Sequence, residues 1–436
     1  MSHNTQFYRA WPILNTTRIN SRVNYYPLAS SYFYYDYLII KRINQLQTSS
    51  MSELPALTRL TSLIRTHWFA IFLAAFICGF FWAPTTKSLN NFYYLFLLLP
   101  MVIFYGVSDG RIARSKQFAS AYRWFFVFVA VLMVSSLANG IDPGALSKQL
   151  LRVLYVIGLL LAVNVAVQRS ASLQQQLVPV IMLVISLASV YCLYQWHSAP
   201  SEDDPRMQGY GITQNSVRLG VIYGFACVVA VIAFLKGEDK ASWAYLITIL
   251  LTAYIVVLSQ SRGPLLAVAI STGLALLVIR GRRAWLLGAL LVFGGIIFAS
   301  EYQDSRIFTA DSWRMKIWPV VINKIALSPW LGYGLHAAEA VEVGRARFEH
   351  PHGGYITTAF FGGGLGLAAL LMLIATTVLS AFKQPSLRPC LVLLTFGLVY
   401  MLFDGSRLFY HPRELWLVFW LPMAYLLAVT TPKIEF

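Results

Sequence analysis

The chain has 436 residues, of which 58% are hydrophobic and only 12% are charged. Soluble domains carry about 25% charged residues, so this composition excludes an ordinary soluble protein and indicates a membrane protein. The formal net charge of +16 would suggest a nucleic-acid partner in a soluble protein. In a membrane protein, basic loops that set orientation and contact anionic lipids explain part of this charge, so no nucleic-acid partner is expected.

Residues 1–66 differ from the rest of the chain. They are polar and rich in tyrosine, and they lack the apolar core and small-residue cleavage site of a signal peptide. Met51 opens a more ordinary start, so we interpret the residues before it as an upstream extension or a disordered tail. The predicted membrane domain therefore covers residues 67–430.

The membrane domain is predicted to be all-α. A transmembrane helix needs about 20 mostly apolar residues, and lipid cannot satisfy the backbone polar groups of an open sheet edge. About twelve stretches meet this requirement. They are 67–83, 91–107, 122–138, 150–168, 177–197, 215–235, 241–258, 262–279, 284–300, 354–382, 387–403 and 414–430. The four cysteines show no CxxC pair, and we interpret them as small core residues.

The distribution of basic residues predicts the orientation. Arg59 and Arg65 precede the first stretch, so the amino terminus is expected in the cytoplasm, and an even number of spans returns the carboxyl terminus there. The densest basic loops then also fall inside, at 111–116, 236–240, 280–283 and 383–388. The outer segments are 198–214, 259–262, 301–353 and 404–413, and the large segment 301–353 joins the ninth and tenth helices.

Isolated arginines on the outer side indicate a bound anion. Arg262 follows Ser259-Gln260-Ser261 at the predicted start of a helix, where the helix dipole and the guanidinium group both favour phosphate. A snorkelling interfacial arginine is the alternative. Arg206 lies in a glycine-containing loop, and Arg218 lies about one turn inside a helix, where an unpaired charge is costly. Arg218 therefore binds an anion or pairs with a nearby carboxylate such as Asp204.

The long outer segment contains a predicted surface helix. Apolar side chains recur at helical spacing over residues 314–327, with lysines on other faces, which is typical of an amphipathic helix lying on the membrane. Residues 328–334 form the turn that follows. Most of this helix is interpreted as a surface anchor, and Arg314 at its start is a further candidate anion ligand.

A histidine-rich turn, residues 350–354, closes the segment just before the next helix. Histidine exchanges a proton near neutral pH, so it suits a general base that activates a hydroxyl group. Chemistry alone does not separate His350 from His352. A zinc site that combined both with His336 and Glu339 would match no known spacing.

Two other patterns carry alternatives. The acidic cluster 202–204 could bind a divalent cation, because hard cations need such oxygen ligands. Dependence on a metal is therefore an alternative, whereas the main prediction includes neither a metal nor a cofactor. The run Gly362-Gly363-Gly364-Leu365-Gly366 lacks the Lys-Ser/Thr pair of a phosphate-binding loop. It is therefore interpreted as a site of close helix packing.

Three features resemble the bacterial O-antigen ligase family, whose members share a fold with O-antigen polymerases. The first is Ser261-Arg262-Gly263 at the opening of a helix. The second is Arg314-x-x-x-Trp318, followed by Ser328-Pro329 and Gly332-x-Gly334. The third is His352 at the start of a helix with Gly363 further along it. The resemblance covers about residues 67–430. The family often has Asn, Ser or Gln where this chain has Gly353, which leaves His350 as a rival base.

This resemblance implies an integral-membrane glycosyltransferase of the C type in the bacterial inner membrane. Its donor would be a glycan on undecaprenyl diphosphate, and its acceptor a sugar hydroxyl on lipid A–core, joined at the periplasmic face among membrane lipids. His352 would take the acceptor proton, and the anomeric configuration would invert. Arg206 and Arg262, with Arg218 and Arg314, would hold the diphosphate and stabilise its growing charge.

Two other functions remain open at this stage. An O-antigen or exopolysaccharide polymerase on the same fold would use a second lipid-linked glycan as its acceptor. A transporter of lipid-linked sugars belongs to another class, but transporters often have internal repeats and helices broken near mid-membrane, and neither pattern is evident in the sequence.

Overall fold

The computed structural model describes residues 56–107, 116–198, 206–237, 240–301, 314–337, 341–343, 346–348, 351–405 and 408–430. Residues 1–55, most of the predicted extension, lie outside these ranges. Contacts divide the chain into residues 1–62 and residues 63–436, and the architecture below is that of the second unit.

The second unit is built almost entirely from α-helices, and the first helix begins before the boundary of that unit, at Ala56. The helices are α1 Ala56–Trp82, α2 Thr86–Tyr93, α3 Leu99–Val107, α4 Lys116–Ala138, α5 Pro143–Arg169, α6 Ala171–Ser198, α7 Ser216–Lys236, α8 Ala244–Leu258, α9 Arg262–Val278, α10 Arg282–Glu301, α11 Arg314–Leu327, α12 Gly354–Phe382, α13 Arg388–Phe403 and α14 Leu421–Thr430. A π-helical turn, Tyr94–Leu98, joins α2 to α3, and another, Trp416–Trp420, leads into α14.

Each of the twelve apolar stretches coincides with helical structure. Among the described residues, seven helices are long and apolar enough to cross a membrane, and three shorter apolar helices accompany them, at His67–Trp82, Arg262–Val278 and Trp416–Thr430. The chain is therefore a multi-pass, mainly α-helical membrane protein. The total of twelve spans and the side on which each loop lies stay predictions.

The bundle is apolar on its outer faces as well as in its core. Helix α7 packs against α8, α9 and α13, and most of its residues are buried. In contrast, Leu183 and Leu187 of α6 and Ile247 and Leu250 of α8 are more than half exposed. A protein in water rarely leaves so many large apolar side chains uncovered, so these faces suit contact with lipid.

Helix α12 is broken at Gly363, where the turn after α11 inserts. Gly363 has φ 62° and ψ −161°, and a Cβ there would overlap the carbonyl group of Trp330. The backbone N–H of Gly364 donates to the carbonyl of Pro329 (2.7 Å), and the N–H of Gly334 donates to that of Phe361 (2.9 Å). The glycine run therefore admits a turn into the helix, beyond the helix packing that its sequence suggested.

The segment between α10 and α12 also contains a small β-hairpin, which the all-α prediction did not include. Strand β1, Val341–Val343, pairs antiparallel with β2, Ala346–Phe348. Val341 is buried, and β1 contacts α11. The hairpin thus leads the chain from the turn after α11 towards the histidine turn before α12.

Candidate functional site

Helix α9 begins at Arg262, which is the predicted start of the apolar stretch 262–279. Ser261 is the N-cap residue, and its side chain makes no capping hydrogen bond. Pro264 lies in the first turn, where its missing N–H costs nothing. A Cβ at Gly263 would lie 3.1 Å from the Cβ of Phe403, so the glycine allows the end of α13 to approach closely. This places a guanidinium group at the positive end of a helix dipole, an arrangement that attracts anions.

Arg314 reaches the same end of α13 from the start of α11. Its Nε donates to the backbone carbonyl of Phe403 (2.7 Å), and its guanidinium group lies 5.9 Å from the centre of the Phe403 ring. The pKa of Arg314 is lowered, mainly by burial and also by the positive charge of Arg262. The nearby Asp404 and Tyr400 act in the opposite direction. An arginine stays protonated in proteins, so two cations and one carboxylate meet here.

Two hydrogen bonds join the backbone of the histidine turn to this region, one from a side chain and one to a backbone carbonyl. The indole Nε1 of Trp318, one turn after Arg314 on α11, donates to the carbonyl of His352 (3.0 Å). The backbone N–H of Gly354 donates to the carbonyl of Asp404 (3.1 Å). His352 has φ 53°, a left-handed conformation that is uncommon outside glycine. These contacts fix the turn on which the His352 imidazole is carried.

Arg206 belongs to a turn that packs against the helix preceding Arg262. The backbone N–H of Met207 donates to the carbonyl of Leu258 at the end of α8 (2.9 Å). The same turn continues to Ile212, whose N–H donates to the carbonyl of Ala83 (3.3 Å). Arg206 therefore lies beside the short connection between α8 and α9, on the same side of the bundle as Arg262.

Arg218 is paired inside the protein. Its Nε lies 3.2 Å from Oε2 of Glu414, and one terminal nitrogen donates to the carbonyl of Ile212 (3.2 Å). The sequence suggested a carboxylate such as Asp204, which lies outside the described residues. Among the described residues the carboxylate partner of Arg218 is Glu414, whose Oε2 also lies 3.8 Å from Nε of Arg413. Arg218 therefore holds the segment before α14 in place. Its contact with a substrate stays a prediction.

Sequence reasoning missed the two carboxylates of this region, Asp404 and Glu414. Both lie in the segment between α13 and α14, which the sequence predicts to be on the outer side. Carboxylates that face several isolated arginines could have been sought there. Of the other proposed ligands, His350, Glu339 and the cluster 202–204 lie outside the described residues. The choice between His350 and His352 and the metal alternatives therefore stay open.

The geometry brings chemically complementary groups together at the end of α13. Guanidinium groups suit the negative charge of a phosphate or diphosphate leaving group, and an imidazole suits proton removal from a hydroxyl group. Arg262, Arg314 and the His352 turn all contact or adjoin residues 403–404, and Arg206 lies one connection away. Such a site can transfer a group from a phosphorylated carrier to an alcohol.

Two comparisons with known proteins agree with this chemistry. The family model described as O-antigen ligase matches residues 247–371, the region that contains Arg262, Arg314 and His352. An O-antigen ligase from Pseudomonas aeruginosa is 25% identical over 378 residues, which cover 85% of this chain and 92% of that relative. The similarity therefore extends over most of the chain.

Proposed function

Because the chain is similar to O-antigen ligases in both comparisons, we propose that it transfers an O-antigen polysaccharide from undecaprenyl diphosphate to lipid A–core. The transfer takes place at the periplasmic face of the inner membrane, with both chain termini in the cytoplasm. The observation that supports this proposal best is the meeting of Arg262, Arg314 and the His352 turn at the end of α13.

His352 acts as the general base in this proposal. Its imidazole takes the proton from the acceptor hydroxyl as that oxygen attacks the anomeric carbon of the donor sugar. The new glycosidic bond forms while the bond from the anomeric carbon to the diphosphate oxygen breaks, and undecaprenyl diphosphate leaves with the electron pair. Attack from the face opposite the diphosphate inverts the anomeric configuration. General bases of this kind contribute about 10²–10⁴-fold in rate.

The arginines stabilise the charge that develops on the leaving diphosphate. Arg314 is half-buried and held by its hydrogen bond to the Phe403 carbonyl, so its charge acts in a medium less polar than water and with little reorganisation. Arg262 adds a second cation at a helix amino terminus, and Arg206 approaches from the neighbouring turn. Arg218 belongs to the same set, although its bond to Glu414 favours a role in holding the wall of the site.

The test is transfer by the purified protein with a defined donor and lipid A–core, comparing His352→Ala with His350→Ala. We expect His352→Ala to lose transfer by at least about 10²-fold and His350→Ala to keep most of it. The reverse result would make His350 the base.

The same assay separates the proposed activity from its alternatives. Glycan attached to lipid A–core, together with restored long-chain lipopolysaccharide in a ligase-deficient strain, would support the ligase. Glycan extended on undecaprenyl diphosphate would identify a polymerase. Movement of the lipid-linked donor across the membrane, unaffected by His352→Ala and without any transfer, would identify a transporter.

A further inference from the structure

A small cavity that contains one arginine shares structural elements with the proposed transfer site. It lies between α4, α5, α12 and the segment that joins α13 to α14, with a volume of about 40 Å³. One water molecule needs about 10–15 Å³ on this measure, so the cavity holds about three water molecules or a group of the size of one phosphate. Its polar lining comes from Arg152, Gln149, Thr358 and Tyr410, and the remaining lining residues are apolar.

Arg152 is the cation of this cavity. Its guanidinium group lies over the ring of Tyr410, 4.5 Å from the ring centre, and one terminal nitrogen donates to Oε1 of Gln149 (3.3 Å). Nε2 of Gln149 donates in turn to the carbonyl of Leu335 (3.0 Å), which fixes the amide. Among the residues that the structure describes, no carboxylate forms an ion pair with Arg152. Most of its five N–H donors are therefore available to an anion.

The neighbouring histidine adds no charge to this cavity. Nδ1 of His411 is hydrogen-bonded to the hydroxyl of Tyr94 (2.6 Å). Burial, and then the charge of Arg152, lowers the pKa of His411, which keeps its imidazole neutral near pH 7. The charge of the cavity therefore comes from Arg152, which lies over the ring of Tyr410 and beside the fixed amide of Gln149. This combination suits a phosphate group attached to a sugar.

The cavity and the His352 turn share two structural elements. Thr358 lies in the first turns of α12, about 6 Å along the helix axis from Gly354, where the histidine turn ends. Tyr410 belongs to the segment that begins at Asp404, the residue whose carbonyl holds Gly354. The donor diphosphate already has Arg262 and Arg314 in the proposed mechanism. An anion in the Arg152 cavity would therefore come from a molecule other than the donor, and the acceptor is the other substrate of the proposed reaction.

We propose that the Arg152 cavity binds a phosphate group on the acceptor glycolipid and so positions the acceptor hydroxyl near His352. This inference rests on the proposed ligase function, and it assigns to Arg152 a role in acceptor specificity. Bidentate arginine–phosphate bonds supply both the attraction and the orientation. The phosphate of a surrounding membrane phospholipid has the same chemistry, so the experiment separates the two sources.

The experiment measures transfer by the purified protein with two acceptors: lipid A–core that carries phosphates on its core sugars, and the same acceptor with those phosphates removed. The test variants are Arg152→Gln and Arg152→Lys. The control is Arg123→Gln, because Arg123 is also an arginine over an aromatic ring, Trp124, but lies about 13 Å along α4 before the cavity residue Leu132. Assays are run in neutral phosphatidylcholine liposomes and in liposomes that contain anionic phosphatidylglycerol.

We expect Arg152→Gln to raise the KM for the phosphorylated acceptor about 10- to 100-fold, the range for a lost hydrogen bond to a charged group, with the donor KM unchanged. Removing the acceptor phosphates should raise the acceptor KM of the wild type by a similar factor. With that dephosphorylated acceptor, Arg152→Gln should raise the KM no further. Arg152→Lys should fall between, and Arg123→Gln should match the wild type.

Three results would overturn the inference. They are an equal loss for Arg152→Gln with both acceptors, an unchanged acceptor KM, and a loss that appears only in phosphatidylglycerol liposomes, which would assign the cavity to membrane phospholipid. Failure of the proposed function is a different outcome, because the wild type would then transfer no glycan. In that case direct binding of the two acceptors to wild type and Arg152→Gln still tests the cavity. Equal binding in all combinations would refute it.

Discussion

Replacing Gly363 by alanine should strongly destabilise the protein. The φ of 62° and ψ of −161° at Gly363 lie in a region open almost only to glycine, and a Cβ would overlap the Trp330 carbonyl and lie 2.6 Å from the Leu331 nitrogen. Backbone strain of this kind costs about 1–3 kcal/mol. Displacement of the turn would also break the bonds from Gly364 to Pro329 and from Leu365 to Trp330, each contributing about 0.5–1.5 kcal/mol.

The total expected loss is about 2–6 kcal/mol, a large part of the 5–15 kcal/mol that usually separates native and unfolded states. Thermal unfolding of the purified protein in detergent measures it, as a lowered midpoint for Gly363→Ala. Gly273→Ala is the matched control, because Gly273 lies in helix α9 with nothing within 4 Å of an added Cβ. Alanine there should raise stability by about 0.5–1 kcal/mol. Equal midpoints for the two variants would refute the reasoning about the inserted turn.

Three further predictions concern the proposed transfer site. A double-mutant cycle with Arg218→Gln and Glu414→Gln should give a coupling of about 1–2 kcal/mol in unfolding free energy, because the pair is only partly exposed; additive losses would contradict a direct ion pair. Trp318→Phe removes the donor to the His352 carbonyl, so kcat should fall about fivefold with the donor KM unchanged, whereas an unchanged kcat would mean that this bond does not position the base. A strong chelator should leave transfer intact if arginines supply the positive charge, and lost activity restored by Mg²⁺ would favour the acidic cluster 202–204.

The sequence predicted the helices well because their signal is local. Apolar stretches of span length located helical structure at each expected position. The break in α12 could not be predicted in the same way. Gly363 takes its conformation because a turn more than twenty residues earlier enters the helix, and that contact is a tertiary event without a local signature.

In the site, too, the candidate residues could be found from the sequence, but their tertiary contacts could not. Arg262 and Arg314 were recognisable as isolated cations on outer segments, and His352 as a histidine before a helix. Their surroundings were not, because the bond from Arg314 to Phe403 joins residues 89 positions apart, and the bond from Trp318 to His352 joins residues 34 apart. Glu414 was likewise missed as the partner of Arg218, because its distance from Arg218 is set by the packing of α7 against the π-helical turn before α14 rather than by spacing.

In the proposed mechanism, His352 removes the acceptor proton and the arginines bind the diphosphate. These two roles are tested most directly by measuring donor binding and transfer on the same purified variants. Undecaprenyl diphosphate is titrated into wild type, His352→Ala and Arg262→Gln, and transfer to lipid A–core is followed in parallel. We expect His352→Ala to bind the diphosphate like the wild type while transfer falls at least about 10²-fold, and Arg262→Gln to bind about tenfold more weakly. Transfer that persists in His352→Ala, or binding that is unaffected in Arg262→Gln, would contradict the account.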